Sequence, residues 1–81
     1  MRAEGFSWFA ASKGLVPGGM VLRRGGAHGV AYASVSEHDK VWVASLNLHR
    51  PTSSQRSAVF ATELEAIEAI EVWVDRLFEA N

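Results

Sequence analysis

"AYASVSEHDKVWVASL" (residues 31–46) decides how this chain folds. Its middle is a polar run, Ser36-Glu37-His38-Asp39-Lys40, and both flanks alternate with a period of two and are rich in β-branched and aromatic residues. Alternation on both sides of a short polar break marks an antiparallel hairpin. With Glu37-His38-Asp39 as a three-residue loop, Ser36 stands opposite Lys40 and the side chains divide between two faces. Val30, Tyr32 and Ser34 then share one face with Trp42, Ala44, Leu46 and Leu48. Ala31, Ala33 and Val35 share the other with Val41, Val43, Ser45, Asn47 and His49. A slip of one residue exchanges the faces of a strand.

On this division neither face is polar, whereas a sheet with one solvated side carries polar residues at every second position. One face therefore needs a helix and the other a flat cover. The helix is written in "ATELEAIEAIEVWVDRLFEAN" (residues 61–81). Thr62 is placed to cap its start with Glu65 three residues on, and Glu63 lies in the first turn where the helix dipole favours an anion. At about 100° per residue, Leu64, Ile67, Ile70, Trp73, Val74, Leu77 and Phe78 gather on one side, and Glu65, Glu68, Asp75, Arg76 and Glu79 on the other. The spacing predicts a helix over about residues 62–79. Val72 falls among the charges, as an isolated exposed valine or a contact for a partner.

Upstream, "GMVLRRG" (residues 19–25) reads as a further strand that ends in the glycine-rich turn "GGAHG". "FSWFAAS" (6–12) is a candidate fourth strand with "KGLVPGG" (13–19) as its loop. "RPTSSQRS" (50–57) is polar and reads as a mobile connection, and "AVFA" (58–61) as a short edge strand. The expected fold is α+β: one domain over residues 1–81, with three to five antiparallel strands packed against one long C-terminal helix.

At 81 residues without cysteine, the chain has no disulfide or thiolate metal site to staple a small core. A second copy would add buried area, and most soluble oligomers are symmetric, with dimers commonest. The candidate dimer face is Ala31, Ala33, Val35, Val41 and Val43, with Val72 from the helix. No stretch approaches the ~20 apolar residues that span a bilayer, so no membrane partner is expected. A cysteine-free chain without a leader-like segment reads as cytoplasmic.

Charge is divided along the chain. Residues 1–60 carry seven basic and three acidic side chains, and residues 61–81 carry one and six. Such asymmetry marks a nucleic-acid surface in some proteins; a solvated acidic helix beside a mildly basic sheet is the commoner cause.

Ser36, His38 and Asp39 hold the letters of a catalytic triad. A working triad needs the hydroxyl at one imidazole nitrogen and the carboxylate at the other, beside an oxyanion hole. Neighbours in a hairpin tip splay into water, so the turn reading is favoured and no enzyme is expected. His28, His38 and His49 lack metal-ligand spacing. His28 is expected opposite Leu48, which would bring it near His49, but two histidines make a poor site. No metal or cofactor is expected. "RRGGAHG" (23–29) has the arginines and glycines of an anion cradle without the Lys-Ser/Thr and helix of a P-loop.

Trp8, Tyr32 and Trp42 with Arg23, Arg24, Lys40 and Arg50 are residue types that bind single-stranded nucleic acid, though Trp42 shares its face with Leu46 and Leu48 in the manner of a core residue. The layout of strands and one helix resembles the small dimeric sheet-plus-helix folds of the whirly and positive-cofactor type, which bind single strands. The closing "VFATELEAIEAIEVWV" (59–74) is similar to the strand-then-helix end of HicB-like antitoxin domains. Both resemblances are of layout and carry over no functional residue. In general character the chain looks like small accessory proteins of phages and mobile elements, including inhibitors of host defence systems. The expected function is a homodimeric, non-enzymatic protein-interaction module, with a nucleic-acid-binding regulator as the alternative. Candidate partner or nucleic-acid contacts are Arg23, Arg24, His28, Lys40, His49 and Arg50.

Overall fold

The computed structural model describes residues 4–10 and 19–79. Five strands, β1 (Phe6–Ala10), β2 (Met20–Arg24), β3 (Val30–His38), β4 (Val41–Leu46) and β5 (Arg56–Phe60), precede a helix α1 (Glu63–Glu79). The strands form one sheet in the order β1-β2-β3-β4-β5, each antiparallel to the next in the chain. The α+β arrangement expected from the sequence is present. The end of the expected first strand at residues 11–12, and the expected loop apart from Gly19, lie outside the described residues.

The hairpin turns later than the polar run suggested. His38 pairs with Val41 and Ala33 with Leu46, leaving Asp39 and Lys40 as a two-residue turn with φ of 49° and 69°. Positive φ at both central residues gives the primed turn whose twist matches that of the strands. The register differs from the expected one by an odd number of residues, so the faces exchange. Ala33 and Val35 come onto the side of Trp42, Ala44 and Leu46, while Ser34 and Ser36 join Val43 and Ser45. Hydrophobic burial selects this pairing, because it places apolar with apolar side chains on the face that α1 covers. The expectation that neither face is polar is thereby corrected: the face without the helix carries Ser34, Ser36 and Ser45.

A second irregularity re-aims one aromatic ring. Leu22 pairs with Ala33 but Arg23 pairs with Ala31, so Tyr32 has no partner on β2. Such a bulge breaks the strict alternation of a strand. Tyr32 therefore reaches the helix side, where its ring meets Phe6 edge-on at 4.9 Å and Phe78 at 6.4 Å. At the β2–β3 turn, Gly29 has no room for a side chain, since a Cβ there would overlap the Arg24 carbonyl.

The core lies between the sheet and α1. Phe6, Leu22, Ala33, Val35 and Ala44 from the strands meet Ala66, Ile70 and Val74 from the helix, flanked by Trp8, Tyr32, Trp42, Leu46, Phe60, Ile67, Trp73 and Phe78. Ala66, Ile70 and Val74 recur at four-residue intervals, which makes them the centre line of the buried stripe. Leu64, at 64% exposed, falls outside that stripe. The helix begins as its sequence foretold, with the Glu65 amide donating to Thr62 Oγ1 at 3.2 Å. On β1, Trp8 Nε1 donates to Glu71 Oε2 at 2.9 Å, tying the first strand to α1.

The polar stretch before β5 is a structured connection. Thr52–Ser54 form one 3-10 turn, Asn47 Nδ2 donates to the Ser54 carbonyl at 3.0 Å, and Gln55 Nε2 to that of Arg50 at 3.2 Å. Asn47 holds φ at 62°, a left-handed conformation that asparagine accepts readily.

Candidate functional site

Strand alternation separates the side chains that the sequence had grouped. Arg23 and Arg24 are neighbours, so they leave opposite faces of β2. Arg24 lies on the helix side, its guanidinium carbon 4.8 Å from the Phe78 ring centroid and 5.6 Å from that of Phe6. Arg23 lies on the other face and donates from Nη1 to the Gly29 carbonyl at 2.9 Å. His28 is exposed in the β2–β3 turn, and Arg50 is exposed in the β4–β5 connection at the same end of the sheet. Lys40 is in the β3–β4 turn at the opposite end, about 26 Å away along β3 at the usual rise per residue. The six candidate contacts therefore do not form one patch.

His49 has a place of its own. Its ring stacks on Tyr32 at 4.0 Å and an interplanar angle of 20°, and its Nδ1 is buried without a hydrogen-bond partner. Burial, with the Arg50 charge beside it, holds the imidazole below its ordinary pKa. The expected approach of His28 to His49 does not occur through pairing, because the Leu48 amide donates to the Tyr32 carbonyl at 3.0 Å and His28 stays in its turn.

The three aromatic residues that the sequence singled out are on the covered side. Trp8, Tyr32 and Trp42 all pack against the core, with the Trp8 indole N–H engaged by Glu71. They do not present a stacking platform alongside the basic residues. Of the triad letters, Ser36 and His38 lie on the helix-free face and Asp39 is in the turn. Among the described residues, no three His, Asp or Glu side chains come together as metal ligands.

The helix-free face is the extended surface that remains. Across its middle runs the row Phe9, Val21, Ser34, Ser45 and Ser57, each directly opposite the next on the neighbouring strand. Beside it run Ser36, Val43 and Val59, then His38 and Val41. On the other flank lie Ser7, Arg23 and Ala31. Val59 is 64% and Val41 37% exposed. Arg23 is the one permanently charged side chain in these rows.

The residues of the expected dimer face do not share one surface. Ala33 and Val35 are fully buried under α1, Val72 is on the outer surface of the helix, and Ala31, Val41 and Val43 stay on the helix-free face. No family model, curated protein or solved structure matches the chain. The signal that would have told the helix-free face from the covered one was the serine pattern. Ser34, Ser36 and Ser45 belong together, and the three-residue turn had paired Ser34 with Trp42. No helix among the described residues is long and apolar enough to cross a membrane.

Proposed function

We propose that this chain is a small, non-enzymatic protein-interaction module whose working surface is the helix-free face of the sheet. The observation that carries this reading is the face itself: five strands wide, built of Ser, Ala and Val with Phe9, and nearly without charge. A broad surface with so little charge suits another protein surface. A polyanion instead needs a track of cations and exposed rings, and here the arginines diverge and Trp8, Tyr32 and Trp42 pack against the core. Occupying a partner's surface, as an inhibitory accessory protein does, requires no reacting group.

Val43, between Ser36 and Val59, is the residue to change. The wild-type chain and Val43→Glu, both checked for folding by circular dichroism, are used as bait in an extract of the cells that make the protein. The reading expects proteins retained by the wild type to be lost from the variant. Equal retention on both baits would overturn it. So would tight binding of a single-stranded oligonucleotide that weakens steeply with salt, which would install the nucleic-acid reading instead.

A further inference from the structure

We infer that the occupant of the helix-free face is a second copy of this chain, stacked sheet on sheet about a twofold axis near Ser34 and Ser45. The inference rests on the reading of that face as the working surface and names its partner. Three features fit a second copy.

The first is charge. A twofold axis brings a surface against itself, so any cluster of like charge on it repels its own image. The acidic outer surface of α1, with Glu65, Glu68 and Val72, fails this condition. The helix-free face meets it, because Arg23 stands near one border and is already hydrogen-bonded to the Gly29 carbonyl. His38 stands at the opposite border, and a twofold axis running along the strands keeps it away from the image of Arg23.

The second feature is shape. Two sheets pack face to face when side chains of modest size interdigitate across about 10 Å. The centre here is the serine row Ser34, Ser45 and Ser57, a strip of small side chains in which hydroxyl groups can bond across the axis to their own images. Phe9 and Val21 continue this row onto β1 and β2, and Ser36, Val43 and Val59 form the row beside it. A twofold axis running along the strands between Ser34 and Ser45 brings these two serines over each other's images, and brings Val43 over the image of Ser36.

The third feature is area. Five strands about 4.8 Å apart and about six residues long make a face of about 24 by 20 Å. Covering two such faces removes on the order of 1,000 Å² from water, the lower bound for a specific protein interface. The pair is then a reversible dimer, concentration-dependent in the micromolar range.

Absence of cysteine makes the test clean, because a single introduced thiol can form a disulfide only with its own image. Sedimentation of the purified chain from low to high micromolar concentration is expected to approach twice the 8.8 kDa chain mass. Val43→Glu and Ser45→Glu are each expected to shift the dissociation constant upward by at least tenfold. Ser34→Cys or Ser45→Cys is expected to give a covalent dimer on mild oxidation, and Glu68→Cys, on the outer surface of α1, is not. A wild-type chain that stays monomeric at all concentrations overturns the inference. So does a dimer that survives both glutamate substitutions, or one that cross-links through Glu68→Cys and not through the serine positions. If the chain is monomeric while Val43→Glu still loses a retained protein, the second copy is wrong and the interaction face stands. If it is monomeric and retention is unchanged, both fail.

Discussion

His49 shows how much one side chain's surroundings can differ from its neighbours in sequence. The alternation predicted it simply as one more residue of a strand face. In the structure it stacks on a tyrosine that a bulge has turned inward, and its Nδ1 is shut off from water without a partner. Both burial and the adjacent Arg50 disfavour the imidazolium. The unfolded chain therefore takes up a proton at this residue at a higher pH than the folded chain does. The stabilisation is fully present above the ordinary imidazole pKa, near 6.5. It declines as pH falls from there to the lower folded-state pKa, and below that it is gone. Urea unfolding between pH 8 and pH 5 is expected to show this loss in the wild type. His49→Phe, which keeps a ring on Tyr32, should show a shallower pH dependence over the same interval, and identical slopes would refute the assignment.

At the level of elements, the helix was legible and the hairpin register was not. Thr62, Glu65 and the spacing of Ile70 and Val74 all signal the same helix, and local capping agrees with long-range burial. The hairpin offered conflicting signals. Ser36 to Lys40 are all polar, so the turn has several places to sit, and neither Asn-Gly nor Asp-Gly marks the two-residue position. Tertiary burial of Ala33, Val35 and Ala44 resolves the matter at the expense of local comfort, since Lys40 is left at a φ of 69°. The bulge at Tyr32 was equally hidden, because no residue type announces it. Left-handed conformation costs an L-residue roughly 1–2 kcal/mol, and glycine gives back about 0.4–1 kcal/mol of that through a freer unfolded chain. Lys40→Gly is accordingly expected to stabilise the protein by about 0.5–1 kcal/mol, read as a higher urea midpoint at unchanged slope. A lower midpoint would mean that the turn is not of the primed type.

For the molecule as a whole, one hydrogen bond spans almost the entire fold. Trp8 Nε1 and Glu71 Oε2 join residues 63 apart in sequence and fasten β1 to the helix that packs mainly on β3, β4 and β5. Removing the acceptor leaves a half-buried indole N–H unpaired, at a cost of about 1–2 kcal/mol. Glu71→Ala should therefore lower unfolding free energy clearly more than Glu68→Ala, an exposed change on the same helix with an effect within about 0.5 kcal/mol. Equal effects would show that the tether contributes nothing.

The order of elements also has a consequence during synthesis. Every strand pairs with its neighbour in the chain, so the sheet can assemble hairpin by hairpin as it leaves the ribosome, amino end first. Its cover, α1, follows all five strands. Until residues 66–78 emerge, Leu22, Ala33, Val35 and Ala44 form an open apolar surface on a nascent sheet. Slow translation of the helix would lengthen the interval in which the face that the finished protein conceals stays open to water.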